Sequence, residues 1–318
     1  MLLCSAVALA SLCDISSAQT ITQTFGIGAN AFSIDFVTIG NPGNAADTTG
    51  SPNPAGSVAY TYSLGKYEVS RDMINKANAA ASLGITLEDM TYFGGNGVNR
   101  PATGVSWNDA ARFVNYLNTI RGYQPAYNFT TSGANENITL WRAGQYNGSN
   151  QFRHKDAYYF LPSVDEWYKA AYGNLDGTWN NYATGSDSAP TAVASGTEAN
   201  TAVYGTTWDF SGGPADINNA GGLSPWGTMG QGGNVWEWIE TAIDGSNNTP
   251  DESREVRGGA WALPTYSGRL DSSWRSEASP TIEYFSYGGF RVAMIPEPSS
   301  LSLLVLGGIL VVLRRKRR

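Results

Sequence analysis

Sulfur and imidazole are the scarcest reactive groups in this chain. The two cysteines, Cys4 and Cys13, lie near the N-terminus, and His154 is the single histidine. From Gln19 to Ile295 no disulfide, thiolate metal site or cysteine nucleophile can form. One imidazole cannot build a multi-histidine iron or zinc centre, and a Ser-His-Asp triad would have to use His154. His154 sits in Arg153-His154-Lys155, a polar run that reads as a solvated surface. Asp165 and Glu166 stand at the start of a helix, where carboxylates complement the dipole; that reading outweighs paired acid–base catalysis. Asp251-Glu252 reads as a loop. Trp261, Tyr266, Arg269, Trp274, Arg275 and Tyr284 gather rings and cations into one segment, as a groove for a peptide or glycan would. Trp261 and Trp274 also suit a core. Arg291 reads as a structural arginine with a buried partner.

The elements that must position these groups are short. Val58–Ser70 alternates and is β-rich, predicting one or two strands. Ser70 opens a helix. Ser106 and Asp109 cap another, with Ala110, Phe113, Val114 and Leu117 as its apolar face. Tyr158–Leu161 predicts a short strand, and Pro162-Ser163 leads into a helix that Gly173 stops. Residues 174–232 are rich in Gly, Asn, Thr and Ser and predict little regular structure. GNVWEWI from Gly233, REVRGGAW from Arg254 and GGFRVA from Gly288 are strand-like.

Both ends read as targeting segments. Leu2–Leu12 has the length of a signal-peptide apolar core, though no Lys or Arg precedes it, and Ser16-Ser17-Ala18 supplies small residues for cleavage after Ala18. At the other end Pro296-Glu297-Pro298 precedes an apolar run, Leu301–Leu313, and five cations. As a helix that run rises about 20 Å, short of a hydrocarbon core of about 30 Å unless flanking residues extend it. The cations predict the tail inside and the domain outside. Without residues 1–18 and 294–318, Lys+Arg falls from 20 to 15 and Asp+Glu from 27 to 25, so the body carries about −10. An acidic body argues against nucleic acid and anionic membrane surfaces as partners.

The tail resembles the PEP-CTERM sorting signal. That resemblance implies export, membrane anchoring through the C-terminal helix, an envelope or extracellular location, and processing by an exosortase-type enzyme. Six motifs, GKYEVS, RPATGVSWNDAARFVNYLN, YFLPSVDEWYKAAYG, GGNVWEW, REVRGGAW and GGFRVA, occur in the order typical of the formylglycine-generating enzyme, or sulfatase-modifying factor, domain. The resemblance implies a single loop-rich α+β domain over residues 19–293, with its core about 56–293, related to the C-type lectin fold, and two structural calcium ions. The signal peptide would be 1–18 and the sorting tail 294–318.

Enzymes of this family oxidise a sulfatase cysteine through a copper-thiolate site made by two cysteines. Here Leu263 matches the first position and Gly268 or its neighbour the second. A soft copper site needs thiolate or thioether ligands, so no copper is expected. A branch with a histidine-rich iron site would need more than His154. By the same resemblance, one calcium site matches Gly233, Val235 and Glu237, with Gly230 where the family usually has Asn or Asp. The other begins at Asn200 and Thr201, with Asp209 or Asp216 as candidate partners. Glu237 otherwise reads as a buried carboxylate satisfied by backbone N–H groups. The expectation is an exported, non-catalytic binding or matrix domain for peptide or polysaccharide. The alternatives are a cysteine-independent enzyme of the same family and a purely structural surface protein.

Overall fold

The computed structural model describes residues 19–130, 137–205, 212–262, 267–283 and 285–295. The expected signal peptide, 1–18, lies outside them, as does the expected sorting tail, 294–318, apart from Met294 and Ile295. Among the described residues no helix is long and apolar enough to cross a membrane.

The fold begins before the first strand expected from sequence. β1 (Thr20–Phe25) and β2 (Phe32–Ile39) form an antiparallel hairpin, with Thr22 opposite Asp35 and Thr24 opposite Ser33. These outward pairs hydrogen-bond through their side chains, Thr22 to Asp35 at 2.6 Å. Phe25, Phe32, Ile34 and Phe36 are buried. The Thr-rich alternation of TITQTF is thus a strand with a hydroxylated outer face. Val58–Ser70 supplies one strand, β3 (Tyr62–Gly65).

Three helices carry the side chains that fill the core. α1 (Arg71–Ala81) is capped by Ser70, whose hydroxyl accepts from the Met73 N–H. α2 (Trp107–Ile120) has the full capping box: Ser106 accepts from Asp109 N–H, and Asp109 accepts from Ser106 N–H. After the two-residue β4 (Tyr159–Phe160), α3 (Val164–Tyr172) repeats the device with Ser163 and Glu166, and Gly173 ends it.

Residues 174–232 are loop-rich, as the composition predicts, but contain one parallel pair, β5 (Thr191–Val193) and β6 (Thr201–Val203). β7 (Trp236–Ala242) is buried along its whole length. It pairs antiparallel with β8 (Arg254–Arg257), which pairs with β9 (Ser276–Ala278), and parallel with β10 (Gly288–Phe290). β11 (Ala293–Met294) inserts between β3 and β4, giving a sheet ordered β1-β2-β3-β11-β4. Gly233 is required where it stands: its φ is +95° and a Cβ would lie 2.5 Å from the Val203 carbonyl oxygen.

The core rests on indoles. Trp107, Trp167, Trp238 and Trp261 are fully buried, each removing about 150–250 Å² from water. Every one of these N–H groups has an acceptor: Ile239 O, Glu237, Val105 O and Ser286 O respectively. That satisfaction lets so large a polar-edged side chain sit in the interior without a desolvation penalty.

Candidate functional site

A cavity of about 680 Å³ opens between the α3 N-terminus, the 147–155 loop and the end of β7. Its size falls in the range of ligand pockets, about 300–1,000 Å³. Arg153 lies at its floor between two buried carboxylates. Nε donates to Glu240 Oε1 at 2.8 Å, one terminal nitrogen to Glu240 Oε2 at 2.7 Å and to Glu166 Oε2 at 2.9 Å, and the other to Glu166 Oε1 at 3.1 Å. The guanidinium also stacks 3.8 Å over the Phe160 ring. The remaining carboxylate valences are taken by Tyr60 OH, Tyr127 OH, Asn150 and the Ser163 N–H.

Burial alone would raise the Glu166 carboxyl, but Arg153 outweighs it and holds the group below its ordinary value. Burial likewise opposes the Arg153 charge, and the two carboxylates more than restore it. Burial and then Glu166 push the Tyr60 phenol up, so it remains a donor. Ser163 is engaged as a cap and both floor carboxylates are locked by Arg153, so the floor is built to hold a shape.

The walls are different. The side chains of Asn147 and Ser149 make no hydrogen bond to the described protein, and the Asp165 carboxylate accepts through one oxygen from the Gly56 N–H at 2.7 Å. The Tyr60 ring is 43% exposed beside them. His154 lines the same cavity and corrects the surface reading of its polar run. It is 8% exposed and sits edge-on to Trp141 at 4.6 Å. Its Nδ1 accepts from the Asp156 N–H at 3.2 Å, and burial pushes its pKa down. The imidazole is therefore neutral at pH 7, with its proton on Nε2.

Four of the six predicted ligand-contacting residues lie among the described residues, and those four do not assemble as one groove. Trp261 is 0% exposed, packed among Met90, Val203 and Val235, so it belongs to the core. Arg275 is tied to Glu255 and to the Ile243 carbonyl, both at 2.7 Å, and braces β8. Arg269 and Trp274 remain as a surface pair, the guanidinium 5.4 Å over a ring that is 38% exposed. Tyr266 and Tyr284 lie outside the described residues, as does Leu263. The Arg153 site was missed because it draws on three separate segments; the available signal was Glu240, a carboxylate within an apolar strand.

Copper does not fit: the described residues hold no thiol. Calcium does not fit at Glu237 either. Its oxygens accept from Arg291 Nε at 2.6 Å, a second Arg291 nitrogen at 2.5 Å and Trp167 Nε1 at 2.7 Å. Arg291 supplies the charge an ion would, which bears out its reading as a structural arginine and replaces the expected backbone N–H partners of Glu237. Gly230 offers no side chain, and the Glu68 carboxylate occupies the space, 2.5 Å from where a Cβ would stand. Gly233 and the buried Val235 are left to offer only main-chain oxygens. At the other expected site, Asn200 Oδ1 accepts from Thr184 and its carbonyl from the Thr191 N–H, while the Thr201 carbonyl accepts from the Gly222 N–H. Asp216 is exposed, and Asp209 lies outside the described residues. Among the described residues no three or more His, Cys, Asp or Glu group to hold a metal.

The fold has known relatives. It is similar to Treponema denticola variable protein 1, at 21% identity and TM-score 0.58, covering 87% of this chain and 99% of that one. It is similar to CarF, at 21% identity and TM-score 0.56, covering 83% and 99%. PvdO from Pseudomonas aeruginosa gives 16% identity and TM-score 0.51, covering 86% and 98%. At these identities the likeness is one of fold. A search of the curated proteins finds no match. The model of the sulfatase-modifying factor enzyme 1-like domain matches residues 41–295. Its span takes in β3 to β11 and both the Arg153 and Arg291 clusters, and the chain belongs to that family.

Proposed function

We propose that this chain is a non-catalytic binding module of its family, exported and held at the cell envelope, with an extracellular polysaccharide seated over Tyr60 and Arg153. The observation that carries the first half is the sulfur count: from Gln19 to Ile295 there is no cysteine, and the one imidazole is buried against Trp141. The family's thiol oxidation has no nucleophile and no copper ligand here.

The cavity walls support the ligand class. A polyhydroxylated ligand needs donors and acceptors side by side, which Asn147, Ser149, Lys155 and the second oxygen of Asp165 provide. The exposed face of Tyr60 suits the C–H face of a sugar ring. Ile295, the last described residue, lines the same cavity. Processing of the sorting tail by an exosortase-type enzyme would release or fix the module in the envelope.

The test of the non-catalytic half is direct. The full chain, incubated with copper, oxygen and a cysteine-containing sulfatase peptide, is expected to leave the cysteine unchanged by mass spectrometry. Conversion to formylglycine would overturn the reading.

A further inference from the structure

Asp165, the second residue of α3, is half-buried and lines the Tyr60 cavity. Oδ1 accepts from the Gly56 N–H at 2.7 Å, and no donor of the described protein meets Oδ2. The cations that line the same cavity are each answered. Arg153 lies between Glu166 and Glu240 at 2.9 and 2.7 Å, and Lys155 has Asp156 at 3.9 Å. Among the described residues Asp165 forms no ion pair.

The balance of charge around the cavity is therefore negative. Arg153 with its two carboxylates leaves −1, Lys155 with Asp156 leaves none, and Asp165 adds −1, a sum of −2. His154 is neutral. Burial is the largest influence on the Asp165 carboxyl and raises it; the Gly56 N–H opposes, and Glu166 and Glu255 reinforce the rise. Arg257 pulls the other way, but from a fully buried position where Glu255 and the Trp274 and Ser51 carbonyls engage it. A carboxylate held among like charges gains more from a cation than from a hydroxyl, since charge-assisted hydrogen bonds are about twice as strong as neutral ones. An anion brought to the same place is repelled.

The neighbouring wall says what carries the cation. Tyr60 donates to Glu166 at 2.7 Å, which fixes the phenol beside the start of α3 and leaves its ring exposed. A tyrosine face attracts an ammonium and packs against the C–H bonds next to it. Asn147 and Ser149 offer an amide and a hydroxyl to ring hydroxyls. We propose that this cavity selects amino sugars: the ring lies on Tyr60, its ammonium donates to Asp165 Oδ2, and acetylated or acidic glycans are disfavoured. The inference rests on the polysaccharide reading above and narrows it to one class. Tyr60 holds the sugar, and Asp165 determines which sugar is held.

Isothermal titration of the full chain in detergent tests it, with the disaccharides of glucosamine, N-acetylglucosamine and galacturonate, at about pH 6 so that the amine keeps its proton. The glucosamine form is expected to bind about five- to tenfold tighter than the acetylated form, with galacturonate weakest. In Asp165→Asn, which keeps an oxygen for the Gly56 N–H, the ratio of the first two should fall to near one. If that variant does not fold, the wild-type ratio decides. Equal binding of the glucosamine and acetylated forms overturns the selectivity and leaves the polysaccharide reading standing. A glucosamine form that does not bind overturns it too, and titration of a polysaccharide against Tyr60→Ala then judges the wider reading separately. A preference that survives Asp165→Asn is attraction to the acidic body at large and also overturns it. So does trilysine binding as tightly with the same dependence on Asp165, which would make the ligand a basic peptide.

Discussion

Replacing Arg153 with methionine tests the cavity floor. The substitution keeps the aliphatic stem over Phe160 and removes the charge between Glu166 and Glu240, both essentially inaccessible to solvent. Breaking a buried ion pair from one side costs about 3–5 kcal/mol, because the partner is left charged and buried. For a chain of this size that is a fall in Tm of roughly 6–20 °C. The loss must depend on pH. In the wild type the Glu166 pKa is depressed, so its stabilisation is present above the unfolded value and is lost as pH falls through the folded one. In Arg153→Met burial acts unopposed and raises the carboxyl, so the variant recovers stability as pH falls. The gap between the two proteins is therefore widest at neutral pH and narrows in acid. Urea unfolding of both from pH 4 to 8 measures it. A gap under about 1 kcal/mol at pH 7, or one that does not narrow in acid, would refute the buried-pair reasoning.

Two further substitutions separate core from surface in the segment read as a groove. Trp261→Ala should lose about 3–5 kcal/mol in denaturant unfolding, whereas Trp274→Ala, at the surface, should stay within about 0.5 kcal/mol. Lys169 is buried, donates to the Asn41 carbonyl at 2.8 Å, and is pushed down by burial to about 8. The unfolded chain binds the extra proton between about pH 8 and 10.5, so wild-type stability should rise with pH across that window, and Lys169→Met should flatten the rise.

Local chemistry was legible from the sequence and distant pairing was not. Ser106 and Asp109 form the capping box that their spacing predicts, and Ser163 and Glu166, read only as a helix start, repeat it. WEWI became part of β7 because its apolar and aromatic content suits a buried strand, whereas REVR became β8 with Glu255 paired to Arg257 and Arg275. The β1–β2 hairpin escaped because threonines on its outer face mask the alternation of its buried rings. Glu166 showed only its role at a helix start, since its partners lie 13 residues away at Arg153 and 106 away at Tyr60. His154 looked solvated beside Arg153 and Lys155, yet Trp141 covers it. Arg291 was read correctly as structural because an arginine between Phe290 and Val292 in an apolar run demands a buried partner, which is Glu237.

The central claim is that this domain binds at Tyr60 and does not oxidise thiols. The most direct measurement is isothermal titration of the full chain with a polysaccharide fraction from the producing cell surface, against the wild type and Tyr60→Ala. The account predicts saturable binding that Tyr60→Ala abolishes while the Tm holds within a few degrees. Binding that survives Tyr60→Ala, or binding only to a cysteine-containing peptide, would contradict it.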